Sequence, residues 1–184
     1  MGDFLEDVKR KFKKFREMSI EEKAVNLKVL VSNPNNYKVL TESADLALAW
    51  SRELATTAAG PANGADFDNR FKAAIRGGPA DAARHCFWSA RLASKLGYND
   101  AAALVSTHEM TGLQDTTAGD PVRLVMESTM DLTNNAVGLK IGVRMANMAD
   151  DSLKQACLDA LKAGELREID RTGLRLVPTT SIVP

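Results

Sequence analysis

The chain has little of several things that would narrow its function. Its two cysteines, Cys86 and Cys157, form neither a metal-ligand spacing nor a disulfide framework, which suits a thiol-reducing compartment without fixing one. Basic and acidic residues balance at 24 each. The whole chain therefore has no net charge to recruit nucleic acid or an anionic membrane, and a charge-driven partner must use a local patch. At the N-terminus, "MGDFLEDVKRKFKKF" puts charges where a signal peptide needs an apolar run. No later segment offers the roughly 18 apolar residues of a membrane span. The expectation is a soluble protein with no transmembrane segment, cytoplasmic when made; export without a cleavable signal would leave no trace of this kind. Also missing are G-x-S-x-G, a P-loop and a dinucleotide fingerprint after a strand, which removes serine-hydrolase, nucleotide-hydrolase and Rossmann readings. There is no internal repeat and no low-complexity tract.

What is present is helical period. At 184 residues the chain suits a single domain with a substantial core. Phe4, Leu5, Val8, Phe12 and Phe15 make an apolar stripe on a first helix whose other face is basic, read as a solvated face. Ser19 with Glu22 forms a capping-box pattern that opens a second helix, and "SNP" at 32 to 34 closes it. Further helices are expected over about 37–57, 66–75, 79–96, 100–112 and 121–148, with a turn-rich loop "TTAAGPANGAD" between the first and second of these, and "DDSLKQACLDALKAG" at 150 to 164 adds another with a capped start and a glycine stop. The tail "ELREIDRTGLRLVPTTSIVP" alternates around Thr172-Gly173 and suggests a small hairpin. The fold class is thus all-α, a single-domain bundle of about seven or eight helices with a short C-terminal β-hairpin. Residues 1–75 form an N-terminal helical region, accessory or docking in character but part of the same globular unit. Residues 76–184 form the motif-bearing helical core and its tail.

Three of these helices carry polar residues where apolar ones are expected. At 100° per residue, Asp81, His85, Trp88, Leu92 and Leu96 share one stripe, with Arg84 at its edge where it can pair with Asp81. An acid and an imidazole on a packed face cost free energy unless they are hydrogen-bonded, charge-paired or metal-bound, so partners must lie elsewhere in the chain. The second histidine, His108 in "VSTHEMTG", shares a face with Ala101, Leu104 and Val105 and is expected to point inward, with Glu109 about 100° away toward a cleft. In "MESTMDLTNNAVGLKIG", Asp131, Asn135, Gly138 and Gly142 line one stripe, with Glu127 and Asn134 beside it. A glycine inside a helix costs about 1 kcal/mol against alanine, so Gly138 and Gly142 predict close approach of another backbone, that of the His85 helix.

The order "DAARHCFW", "THE" and "MDLTNNAVG" resembles an uncharacterised bacterial domain family with D-A-x-R-H-x-x-W, T-x-H-E and M-D-L-x-N-N-x-x-G motifs, found in secreted and polymorphic-toxin-like proteins. The resemblance covers residues 79 to about 145. It implies Asp81, Arg84, His85, His108, Glu109, Asp131, Asn134 and Asn135 as motif positions, and it carries no reaction.

The leading reading is a bacterial hydrolase of effector or toxin type, with His85, His108, Glu109 and Asp131 as catalytic residues and Arg84, Asn134 and Asn135 as substrate-binding or supporting groups. In its metal version Asp81, His85, His108 and Asp131 supply nitrogen and oxygen ligands for zinc, manganese or iron, and Glu109 is the base on a bound water. The spacing is neither H-E-x-x-H nor the Glu-x-x-His of di-iron bundles. In its metal-free version Glu109 works with Asp115, Asp120 or Asp131 as a carboxylate pair, or a histidine is the base. The substrate would be cell-wall glycan or lipid, and an inhibitor or delivery protein would be the partner. The alternative is a non-enzymatic binding or structural protein in which Arg84 with Asp81, His85 with Asp131, and the Asn134 and Asn135 amides form a buried network. Phe87, Trp88, Trp50 and the methionines at 126, 130, 145 and 148 are read as core filling. A membrane-active toxin is the third reading, opposed by Lys140 and Arg144 beside Gly138 and Gly142.

Overall fold

In the computed structural model, residues 18–34, 36–62, 64, 66–113, 120–170, 172 and 175–182 are described. The basic amphipathic segment 4–16 and Asp115 lie outside them. Among the described residues the chain forms seven helices and one two-stranded antiparallel hairpin: α1 (Ile20–Ser32), α2 (Asn36–Ala59), α3 (Phe67–Ile75), α4 (Pro79–Leu96), α5 (Tyr98–Leu113), α6 (Pro121–Arg144), α7 (Asp150–Lys162), β1 (Arg167–Ile169) and β2 (Leu176–Pro178). This is the all-α class with the short C-terminal hairpin. No helix among the described residues is long and apolar enough to cross a membrane.

The helix boundaries follow local chemistry. Ser19 and Glu22 exchange both capping-box hydrogen bonds at the start of α1, satisfying backbone N–H groups that no turn of helix can reach. Pro79 and Pro121 sit in first turns, where a missing N–H costs nothing. Asp120 caps α6 by accepting from Val122 N. The start of α7, by contrast, has Ala149 at the cap with no side-chain hydrogen bond, so the capped start expected there is absent. The α6 helix also ends at Arg144 rather than near Met148, because Met145 leaves the helical conformation.

The centre of the molecule is α4. Only Arg84, Trp88, Lys95 and Leu96 of its 18 residues fall outside the buried set. A helix so enclosed needs small side chains on several faces, and Ala80, Ala82, Ala83, Ala90 and Ala93 provide them. On one side Trp50 of α2 meets Phe87 edge-on, with ring centroids 5.3 Å apart. On another, α6 lies against α4 at Gly138 and Gly142. A Cβ on Gly138 would stand 2.1 Å from the Cys86 carbonyl oxygen, and one on Gly142 2.2 Å from that of Ala90. The close backbone approach expected from those glycines is therefore present. The α7 helix closes a third side through Leu153, Cys157 and Leu161, and the Cys157 and Cys86 sulfurs touch at 3.0 Å as free thiols.

Arg91 is buried, donating to Ser43 Oγ at 2.7 Å and to Asp150 Oδ1 at 3.0 Å. It ties α4 to α2 and α7 as a paired internal cation. Met130 is core filling as read, whereas Met148 is exposed and Trp88 is only half-buried.

Candidate functional site

Three helices bring their polar residues to one place. From α4, Asp81 accepts the Gly77 N–H on Oδ2 at 2.8 Å, and Arg84 donates Nε and Nη2 to Oδ1 at 2.9 and 2.5 Å. One turn on, His85 lies between a residue of α5 and a residue of α6. Its Nδ1 is 3.3 Å from Glu109 Oε1 and its Nε2 is 3.1 Å from Asp131 Oδ1. Asn135, one turn past Asp131, donates Nδ2 to Glu109 Oε1 at 3.0 Å. The Arg84 Nη2 also reaches His85 Nε2 at 2.6 Å. A guanidinium only donates, so Nε2 accepts and the imidazole proton sits on Nδ1, facing Glu109.

The cluster is almost dry. The His85 side chain is 4% exposed and that of Asp131 15%. Burial holds the His85 imidazole below its ordinary pKa, against the pull of Glu109. Burial also acts on Asp131, and with the nearby Glu109 and Asp81 carboxylates it pushes this acid up to about 9. Burial alone would raise Glu109 as well, but His85 and the Asn135 amide hold it below the usual carboxylate value. Among the described residues, three buried side-chain polar atoms have no hydrogen-bond partner: His85 Nδ1, Asp131 Oδ1 and Asn135 Oδ1. The Nδ1 contact with Glu109 is close but lacks hydrogen-bond alignment. Unsatisfied buried atoms are uncommon in folded proteins, and here they share one cluster.

A cleft of about 370 Å³ opens beside the cluster. Arg84 and His85 form part of its wall, and Val25, Leu40, Leu92 and Leu104 make much of the rest. His108 also lines it, but not as expected. Its side chain is 54% exposed, donates Nδ1–H to Glu22 Oε1 at 3.1 Å, and packs edge-on against Trp88 at 5.2 Å between centroids. The inward orientation read for His108 is thus corrected: at four residues from Leu104, it lies at the rim of the cleft, while its neighbour Glu109 is the buried one. Of the set Asp81, His85, His108 and Asp131, the structure brings His85 and Asp131 together, leaves Asp81 3.8 Å from His85 and committed to Arg84, and puts His108 outside.

Asn134 and Asn135 part company as well. Asn134 faces away from the cleft and exchanges two hydrogen bonds with the Arg167 backbone, N–H to Oδ1 at 2.8 Å and Nδ2 to the carbonyl at 2.9 Å, pinning β1 to α6. Asp120 is exposed at the start of α6. Two residues escaped the sequence reading. Glu22 was absorbed by the capping box, yet its other oxygen meets His108. Trp88 packs against the core as expected of it, and it also stands beside both imidazoles, 6.4 Å from His85 between centroids. The D-x-x-x-H-x-x-W spacing, which puts all three on one stripe, was the available signal for Trp88.

No solved structure matches the chain. A family model described as a domain of unknown function (DUF6973) matches residues 41–165, which takes in most of α2 and every member of the cluster. With more than half of its length inside that match, the chain belongs to this family of uncharacterised domains.

Proposed function

We propose that the protein is a hydrolase in which the centre formed by His85, Glu109 and Asp131 activates a water at the floor of the cleft. The observation that supports it most is an imidazole held between two carboxylates, buried, yet forming part of a cleft wall. A dry site strengthens each charge interaction made there, and proton transfer by a positioned imidazole or carboxylate is worth about 10²–10⁴-fold in rate. Arg84 lies where it can meet negative charge that develops on the attacked group. The mainly aliphatic cleft favours a substrate with an apolar portion, so an ester or amide of a lipid fits better than a glycan. The resemblance of the motifs to those of secreted and toxin-like bacterial proteins supports an effector role, with an inhibitor as the natural partner.

The test is purified protein against short-chain and phospholipid acyl esters and peptidoglycan, alongside Glu109→Gln and His85→Ala. Cleavage lost in both folded variants supports the reading, and no cleavage of any substrate removes it. Expression in a bacterial cytoplasm and periplasm reads the effector role separately: harm in neither compartment ends that part.

A second reading is favoured by Asp81 and Asn134, each of which is held by at least two hydrogen bonds within the fold. In it the polar residues are a structural network that fixes helix register and catalyses nothing. Variants of His85 and Glu109 that lose stability while the wild type cleaves nothing would support it.

A further inference from the structure

We propose that His85 and Glu109, completed by Asp131, hold one divalent cation. The inference concerns the same centre as the hydrolase reading but stands without its chemistry. One ligand atom from each of the three residues lies within 4.8 Å of the others. Two donors each about 2.1 Å from an ion at the tetrahedral angle are about 3.4 Å apart. The 3.3 Å between His85 Nδ1 and Glu109 Oε1 is that spacing, and it lacks the alignment of a hydrogen bond.

The unpartnered atoms are the second observation. His85 and Asn135 are more than nine-tenths buried, and His85 Nδ1, Asn135 Oδ1 and Asp131 Oδ1 all lack a partner. The three belong to this cluster, so one ion with its bound water answers for them together.

Charge gives the third. Arg84 neutralises Asp81, which leaves the Glu109 and Asp131 carboxyl groups on either side of the imidazole. A divalent cation bound here displaces the Asp131 proton, and the two carboxylates then balance its charge. An ion at Nδ1 sends the imidazole proton to Nε2. There Asp131 Oδ1, 3.1 Å away, is the acceptor, while Arg84 Nη2, 2.6 Å from Nε2 in the metal-free site, has to draw back from it and keep its bonds to Asp81. One nitrogen and carboxylate oxygens suit zinc, manganese or iron(II) rather than calcium. Asn135, through its bond to Glu109, orients the ligand from outside.

The full chain purified without chelator, then stripped and titrated with Zn²⁺ or Mn²⁺ alone, tests this. The expected result is about one ion per chain. Loss of the Asn135 bond in Asn135→Ala should weaken binding about 10–100-fold, and Glu109→Gln and Asp131→Asn more than that. Visible absorption of the Co²⁺-loaded protein should disappear in Glu109→Gln. Circular dichroism confirms folding, and the near-isosteric Gln and Asn variants carry the test where His85→Ala does not fold. Stripped protein that takes up no ion, or folded Glu109→Gln that binds like wild type, overturns the proposal. Ion binding without cleavage of any substrate removes the hydrolase reading alone, and cleavage by fully stripped protein with no ion bound removes the cation alone.

Discussion

Gly138 and the Cys86 carbonyl are packed so that no Cβ fits between them, 2.1 Å being far inside any real contact. The obstacle is backbone of α4, so it cannot rotate away as a side-chain tip would. Gly138→Ala should therefore destabilise the protein by about 3 kcal/mol, read by thermal or urea denaturation. Because Asp131 is carried on the same helix, the variant should also lose cation binding at temperatures where it is still folded. A variant of wild-type stability would mean that α4 and α6 do not pack as described.

Two adjacent asparagines offer a contrast. Asn134→Ala leaves the Arg167 N–H and carbonyl without these partners in a half-buried place and should cost about 1 kcal/mol. Hydrogen exchange should quicken in 167–178 while the cation site is unchanged. Asn135→Ala should do the reverse, disturbing Glu109 more than the hairpin. Equal effects of both substitutions on ion binding would contradict the division of labour.

His108 is at the cleft rim, and its contacts are Glu22 and the Trp88 ring. His108→Ala should change stability by less than about 1 kcal/mol, as expected of an exposed ion pair, and should leave ion stoichiometry intact. If a substrate is found, the variant should raise KM with kcat nearly unchanged. A large fall in kcat would assign the histidine to the reacting centre.

In protein stripped of metal, Asp131 keeps its proton up to about pH 9, whereas the unfolded chain releases it near the ordinary aspartate value. Between those values the folded state binds the extra proton, so stability falls as pH rises. His85 works in the opposite direction only below about pH 6.5, where the unfolded chain gains a proton that the buried imidazole resists. Denaturation midpoints measured from pH 7 to 8 should therefore decline in stripped wild type, and the decline should be much smaller in Asp131→Asn; above about pH 8 the buried Cys86 thiol, pushed up by burial, adds a decline of its own in both proteins. The same slope in both proteins would show that Asp131 is not the group responsible.

The sequence makes the helices legible because their ends carry local chemistry: the Ser19 and Glu22 box, Pro79, and Asp120 before Pro121. It also places Asp81, His85 and Asp131 toward one another, since a stripe of polar residues continuing into Trp88 and Leu92 has to meet partners. Facing is harder to read. On α5, Ala101, Leu104 and Val105 are buried, yet His108 follows them to the rim while Glu109 turns in, because α1 and α6 cover different sides of that helix. A helical wheel gives the angle between two residues but not which neighbour covers each. Arg91 shows the same limit: among the cations of the α4 flank, only the arrival of Ser43 and Asp150 from remote helices makes it internal.

His85, Glu109 and Asp131 each project from well inside a helix, several residues from any connecting segment. The chemistry is consequently insulated from the joints of the chain. Insertions or deletions in the connections leave it untouched, but a single residue added within α4, α5 or α6 ahead of its contributor swings that side chain through about 100° and takes the centre apart. Variation across this family should then accumulate at the bends, with the lengths of these three rods held constant.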